Sequence, residues 1–226
     1  MIRARDRRGP CGRTRRASRH VAALAVLLVV GLGGCAAPRA PDPGATAASP
    51  PAATPGAESI ALTNPGFESD RRSLGSNPEG WRTVQHAGAP AYAFTLDRDV
   101  RHSGERSMRI ENLTPEVYGM VLQSVPAAPH AGRTLRFSVW LRTQEVRGNA
   151  FGRGATPTLQ AMASGSPAAS ASFDVAAIAG TSEWTRREVT LIVPRHAESI
   201  EVGVMLTGSG TAWLDDAALE VLSAPR

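Results

Sequence analysis

The chain contains no lysine; all 25 of its basic residues are arginine. With abundant alanine, glycine and proline, that bias points to the coding habits of a GC-rich bacterial genome rather than to a mechanism. Cysteine is almost as scarce: Cys11 and Cys35 are the only two, and the way the chain begins (below) uses both outside any folded domain, so no disulfide framework is expected. Aromatics reach only 5% of the residues, which leaves few rings for stacking on a ligand. No stretch carries a sustained helical period, although the Ala-rich Pro167 to Ala179 has room for one turn. Catalytic signatures are missing as well. There is no G-x-S-x-G elbow, no H-E-x-x-H and no phosphate-binding glycine loop. His86, His102, His130 and His196 are scattered without ligand spacing and read as surface residues. A pair of carboxylates for glycoside hydrolysis is recognised by separation in space, and nothing in the sequence nominates one. The expectation is a protein that is not an enzyme.

What is present begins with a skewed charge. The formal net charge is +5 and the pI about 10.4, yet Arg3, Arg5, Arg7, Arg8, Arg13, Arg15, Arg16 and Arg19 fall within the first twenty positions, opposed only by Asp6. Without that segment 17 basic residues face 19 acidic ones, a net charge of −2 (25 − 8 against 20 − 1). The basic pI therefore belongs to the leader, and nucleic acid is not expected as a partner. Val21 to Leu32, VAALAVLLVVGL, follows as an apolar run of a dozen residues, short of the roughly 20 a permanent membrane helix needs and of the length of a signal-peptide core. It ends in Leu32-Gly33-Gly34-Cys35, which resembles the lipobox of bacterial lipoproteins. That resemblance implies a signal peptide over 1–34 and a lipidated Cys35 carrying diacylglycerol and acyl chains such as palmitate, hence a lipid anchor in the membrane. An ordinary signal peptide is the bland alternative. Ala36 rather than Asp follows the cysteine, which favours the outer membrane of the envelope.

From Cys35 to Glu58 the chain is nearly all Ala, Pro, Gly, Ser and Thr. Such a composition buries no core and reads as an extended, semi-rigid tether over 35–58. Residues 59–226 then hold one domain of short alternating segments separated by turn signals. Strands are expected near Ser59 to Thr63, Trp81 to His86, Tyr92 to Asp97, Ser107 to Asn112, Tyr118 to Val125, Thr134 to Thr143, Pro157 to Ala163 and Ala171 to Val175. Three more are expected in Gly180 to Val221, where Val189, Leu191 and Val193, then Ile200, Val202, Val204 and Leu206, then Asp215, Ala217, Leu219 and Val221 alternate with their neighbours. Pro194 to Glu198 and Gly208 to Gly210 supply the turns, and the three read as an antiparallel meander. Many strands without helices mean an all-β fold, a β-sandwich of two antiparallel sheets.

A set of short motifs makes this more specific. Asn64-Pro65-Gly66-Phe67-Glu68, Gly80-Trp81, His102-Ser103-Gly104-Glu105-Arg106-Ser107, Phe137-Ser138-Val139-Trp140-Leu141-Arg142, Glu183-Trp184-Thr185 and Trp213-Leu214-Asp215-Asp216 occur in order. Together they resemble the jelly-roll carbohydrate-binding modules found beside cellulases and xylanases, within the galactose-binding-like sandwiches. The departure lies between Arg147 and Ser172, where Gly, Ala and Ser replace bulkier residues. The resemblance implies a polysaccharide or cell-envelope glycan as partner and a structural calcium ion (Ca2+) joining the first strand to the last, held by Glu68 and by Asp215 or Asp216. Calcium takes several hard oxygen ligands. Alternation places Asp215 on the face of Ala217, Leu219 and Val221, pointing inward, which favours it over Asp216; a solvated aspartate pair is the other reading.

The ligand face is expected around Trp140. Leu135, Phe137, Val139 and Leu141 take the core side of their strand, which sends Arg136, Ser138, Trp140 and Arg142 to the other face. A sugar presents a C–H face to an aromatic ring and hydroxyls to planar polar groups, so Trp140 flanked by Arg142 suits a concave binding sheet, with Tyr118, Gln123 and Gln160 as neighbours. Packing of Trp140 beneath a loop is the competing reading. Trp81, Trp184 and Trp213 read as structural, and RGNAFGR, Arg147 to Arg153, as a flexible loop that is either solvated or in contact with an anionic glycan. The functional expectation is non-covalent glycan binding by an envelope lipoprotein, with a structural or protein-interaction module second and an envelope glycoside hydrolase third.

Overall fold

The computed structural model describes residues 57–222 except 70, 72–76 and 172–175. The signal peptide, Cys35 and the tether up to 56 lie outside the described residues. Among the described residues, eleven strands are arranged in two sheets, each pairing antiparallel. They are β1 (Glu58–Ile60), β2 (Arg82–Gln85), β3 (Tyr92–Asp97), β4 (Ser107–Asn112), β5 (Tyr118–Pro126), β6 (Thr134–Arg147), β7 (Ala155–Ala163), β8 (Ser166–Ser170), β9 (Gly180–Ile192), β10 (Ser199–Thr207) and β11 (Ser209–Leu222). The first sheet runs β3-β4-β11-β6-β9, with β1 also paired to β11; the second runs β2-β5-β10-β7-β8. This is the expected jelly-roll sandwich.

Alternation explains how the layers close. Leu135, Phe137, Val139 and Leu141 of β6 are fully buried, and so are Ile200, Val202, Val204 and Leu206 of β10. These two runs face each other across the core in a joint cluster with Met108, Ile110, Leu159, Leu214 and Leu219. Each such side chain contributes about 1.5–3 kcal/mol by leaving water. On the outward face of β6, Arg136 meets Glu220 of β11 at 2.7 Å, and Ser138 accepts a bond from Arg186 of β9 at 2.9 Å.

Three expectations need correction. The C-terminal strands form no meander: β9 and β11 both pair with β6 in the first sheet, whereas β10 lies in the second between β5 and β7. One buried face per strand gives the same alternation whether the chain turns back beside itself or crosses to the opposite sheet, so the pattern does not distinguish them. Secondly, the strand expected at Ala171 to Val175 is absent at Ala171, and the rest lies outside the described residues; β8 is Ser166–Ser170 instead.

The third correction concerns Asp215. Between Asp215 and Ala218 the register of β11 against β6 shifts by one residue. That bulge reverses the parity of everything beyond it. Asp215 lies opposite Trp140 and shares the outward face of Trp213, while Ala217, Leu219 and Val221 face the core. It is nonetheless fully buried, because a loop covers it.

Candidate functional site

Two regions gather polar and aromatic residues. The first is the seam where β1 and β4 meet opposite ends of β11. Asn64 to Glu68 fill the gap: Phe67 donates to Asn64 O at 3.1 Å, Ala217 donates to Pro65 O at 3.0 Å, and the buried Phe67 ring lies 4.9 Å from that of Trp81. The loop before β4 folds over this seam. Asp215 Oδ2 accepts the backbone N–H groups of His102 (2.9 Å) and Ser103 (3.2 Å), and its Oδ1 accepts that of Asp216 (2.8 Å). Asp216, at the bulge with φ 47°, meets His102 Nδ1 at 2.7 Å and accepts from Ser103 Oγ at 2.8 Å. Glu68 accepts the N–H groups of Glu105 (3.0 Å) and Arg106 (3.2 Å). Gly104, with φ 58°, passes where a Cβ would run into the Glu68 carboxylate. Burial first, and then the charge of Asp216, push the Asp215 carboxyl up to about 7 against the pull of its three N–H donors.

The seam therefore brings together Glu68, Asp215 and Asp216, the three residues proposed from the resemblance as calcium ligands. Their geometry does not fit a preformed calcium cage. Asp215, Asp216 and Glu68 all accept N–H or O–H groups of the covering loop, and among the described residues no three His, Cys, Asp or Glu side chains converge as a ligand set.

Trp140 belongs to the same seam. His102 stacks on its ring at 4.0 Å and 17°, and Trp184 meets His102 edge-on at 5.7 Å. Among the described residues, Trp140 Nε1 is buried without a hydrogen-bond partner. The ring is thus packed beneath the Val100 to Arg106 loop, not beneath Arg147 to Thr156 and not open as a platform. Arg142 pairs loosely with Glu183 at 3.4 Å and, with Arg109, flanks the ring of Trp213 at 5.8 and 5.9 Å.

The remaining expected ligand residues sit elsewhere. Tyr118, Gln123 and Gln160 belong to β5 and β7 of the second sheet. Gln160 is opposite Glu201 on its outward face, and Tyr118 lies six residues along β5 from Ser124, the other neighbour of Glu201. Roughly 20 Å of strand separates them. Gln123, opposite the core residue Val202, faces inward and clamps the chain after β1, accepting from Thr63 N at 2.7 Å and donating to Thr63 O at 2.8 Å. The five residues do not form one site.

The second region lies at the other end of β11. There the β4–β5 connection, the β6–β7 loop and the β10–β11 turn line an open cavity of about 520 Å³, within the usual range for small-molecule sites. Tyr92 ties its floor: the hydroxyl donates to Glu116 O (3.3 Å) and Gly208 O (3.2 Å), and burial pushes its pKa up to about 12. Gly208, at φ 75°, packs where any Cβ would strike Arg147 O. The asparagines brace the walls. Asn149 Nδ2 donates to Val117 O at 2.8 Å while its Oδ1 accepts Phe151 N at 2.9 Å, and Asn112 Nδ2 donates to Thr114 O at 2.7 Å. Glu116 Oε1 accepts Val117 N at 2.6 Å and faces His86 Nδ1 at 3.0 Å; these contacts hold its carboxyl below the usual range, led by the backbone N–H.

Phe151 lines this cavity and is 72% exposed. A single exposed apolar side chain is ordinary, and Leu113 and Ile192 are exposed too; Phe151 differs in lining the cavity. Sequence reading gives Arg147, Asn149 and Phe151 only as parts of a flexible loop, solvated or in contact with an anionic glycan, and leaves Glu116 out. The available signal was a lone aromatic among Arg, Gly and Asn.

A two-sheet jelly roll with its concavity at the strand ends is the class that fold and site define. No protein-family model matches the chain. In sequence it is 26% identical over 140 residues to an uncharacterized HTH-type transcriptional regulator of Bacillus subtilis (strain 168), covering 57% of this chain but only 43% of that protein. Among solved structures, a cyclase from Fischerella sp. TAU matches with TM-score 0.51 and 15% identity over 75% of this chain and all of its own. The CBM22-1 and GH10 modules of the N-terminal endo-1,4-β-D-xylanase 10B of Clostridium thermocellum, complexed with xylohexaose, match with TM-score 0.51 and 13% identity over 72% of this chain and 28% of theirs. At such identities the structural likenesses show the fold.

Proposed function

We propose that the domain is a non-catalytic carbohydrate-binding module of an envelope lipoprotein, and that its glycan enters the strand-end cavity against Phe151. The carrying observation is the exposed Phe151 ring beside planar polar side chains in a cavity of sugar size, the combination that recognises the C–H face and hydroxyls of a saccharide. Likeness in fold to part of a xylanase whose CBM22-1 and GH10 modules were crystallised together with xylohexaose supports it.

Two other readings remain distinct. Hydrolysis needs two carboxylates flanking the bond, and Glu116 is the only acid among the described residues lining the cavity. A protein-interaction module is favoured by Trp140, partly buried with His102 stacked on its ring, which takes away the open platform expected from sequence. A glycan array probed with the mature protein and its Phe151→Ala variant decides. Binding of a defined glycan, weakened at least tenfold in the variant with unchanged melting, is the expected result; a folded wild-type protein that binds no glycan would hand the role to the interaction reading.

A further inference from the structure

The charges of the cavity mouth are not all matched. Glu116 has its backbone N–H and its histidine. Both asparagines donate inward to loop carbonyls. Arg147, the last residue of β6, lines the same cavity and is exposed, and its guanidinium has neither an ion pair nor a hydrogen bond among the described residues. Most arginines on the outward face of the first sheet behave otherwise: Arg109, Arg136, Arg142 and Arg186 each have a carboxylate within 3.4 Å.

A guanidinium presents five donors in a rigid planar fork that matches a carboxylate bidentately. In this cavity it is the one large reserve of uncommitted donors, and it stands on the same short loop as the exposed ring, four residues before Phe151. Glu116 has a second oxygen that makes no hydrogen bond among the described residues and so can accept a sugar hydroxyl. We infer that the cavity selects acidic saccharides of the hexuronate class, with the sugar ring on Phe151 and its carboxylate on the Arg147 fork. This deepens the glycan-binding reading and rests on it.

The test compares two probes that share one sugar backbone and differ at the carboxyl, charged in one and neutral in the other: an oligogalacturonate and its methyl ester, titrated calorimetrically into the mature protein at low and at physiological salt. The acid is expected to bind at least tenfold more tightly than the ester, with a preference that shrinks as salt rises. Arg147→Gln should erase the preference while leaving ester binding in place, and Arg147→Lys, which keeps the charge but loses the fork, should restore only part of it. Phe151→Ala should weaken both probes together. Equal affinity for acid and ester would overturn the hexuronate inference and leave the glycan reading standing. Failure of both probes to bind would overturn the inference too, and the glycan array then decides the broader reading by itself. Arg147 is exposed, so a melting curve suffices to show that each variant is folded.

Discussion

The seam over Asp215 and the cavity beside Phe151 are built from similar material, loops of Asn, Gly, charged and aromatic residues closing the ends of one long strand, and they end in opposite states. At the seam most groups answer another, although Trp140 Nε1 and Asn64 Nδ2 are left without a partner among the described residues. Three backbone N–H groups converge on Asp215, His102 and Ser103 hold Asp216, and Trp140 is roofed by His102. At the cavity the inward groups are satisfied in the same way, by Tyr92, Asn112 and Asn149, but Phe151 and Arg147 are left facing water. Residue type alone therefore does not mark a binding site. What marks it is which side chains remain unanswered once the loops have braced themselves.

Breaking the seam should have the largest effect, and on stability rather than binding. Asp215→Ala leaves three N–H groups without their acceptor beneath a closed loop. A buried donor stripped of its partner costs about 1–3 kcal/mol; relief of the repulsion with Asp216 offsets part of this, and a net loss of about 3 kcal/mol corresponds to a melting temperature lower by roughly 10 °C in a domain of this size. The same carboxyl gives a pH signature. Its folded pKa of about 7 lies above the ordinary 3.8, so the folded state binds this proton more tightly. The stability it contributes is complete below about pH 4 and is lost as pH rises through 7. Thermal scans from pH 4.5 to 8 should show the wild type losing stability through this window and the variant losing less. Parallel curves for the two proteins would mean that Asp215 is already ionised throughout.

A smaller effect is expected from Trp140→Ala. Loss of the stack with His102 should cost about 1–3 kcal/mol, at the low end of aromatic truncations because the ring is only partly buried. Glycan affinity should hold within about twofold, since the ring and the cavity lie on different parts of the fold. Retained melting with abolished binding would reverse the assignment and return the ligand face to the first sheet.

Much of the framework was legible in the sequence because it depends on alternation. β3 and β4 fall on the residues that the pattern of Tyr92 to Asp97 and Ser107 to Asn112 marks, and the inward set of β6 is the one its spacing gives. Pairing was not legible. Nothing in Ile200 to Leu206 says whether its neighbours are β9 and β11 or β5 and β7, because a buried face is the same demand in either case. The bulge at Asp215 was hidden for a related reason: one inserted residue changes no residue type, yet it reverses every facing counted across it. The ligand residues failed differently. Trp140 was read from its own strand, whereas its fate is set by a histidine 38 positions earlier in the chain. Arg147 to Arg153 reads as a flexible loop, solvated or in contact with an anionic glycan, while the bond that braces it runs from Asn149 to Val117 and leaves no mark in local composition.

The sharpest use of the contrast concerns calcium, where the expected effect is the smallest. The resemblance in sequence implies an ion bound by Glu68 and Asp215 or Asp216, and the fold does collect these residues at one seam. Calcium would need their oxygens turned toward a common point, together with carbonyl oxygens from the loops. The seam offers the opposite polarity, for the covering loop presents N–H groups to Asp215 and Glu68, and the imidazole and hydroxyl to Asp216. Backbone donors thus do the work that a cation does when loops contribute carbonyls instead. On this account melting curves of the mature protein in millimolar calcium and in excess chelator should superimpose within about 1 °C. A chelator-dependent drop of several degrees that disappears in Asp215→Ala would show that the loop can reorganise around an ion, and that the seam, like the cavity, has a ligand of its own.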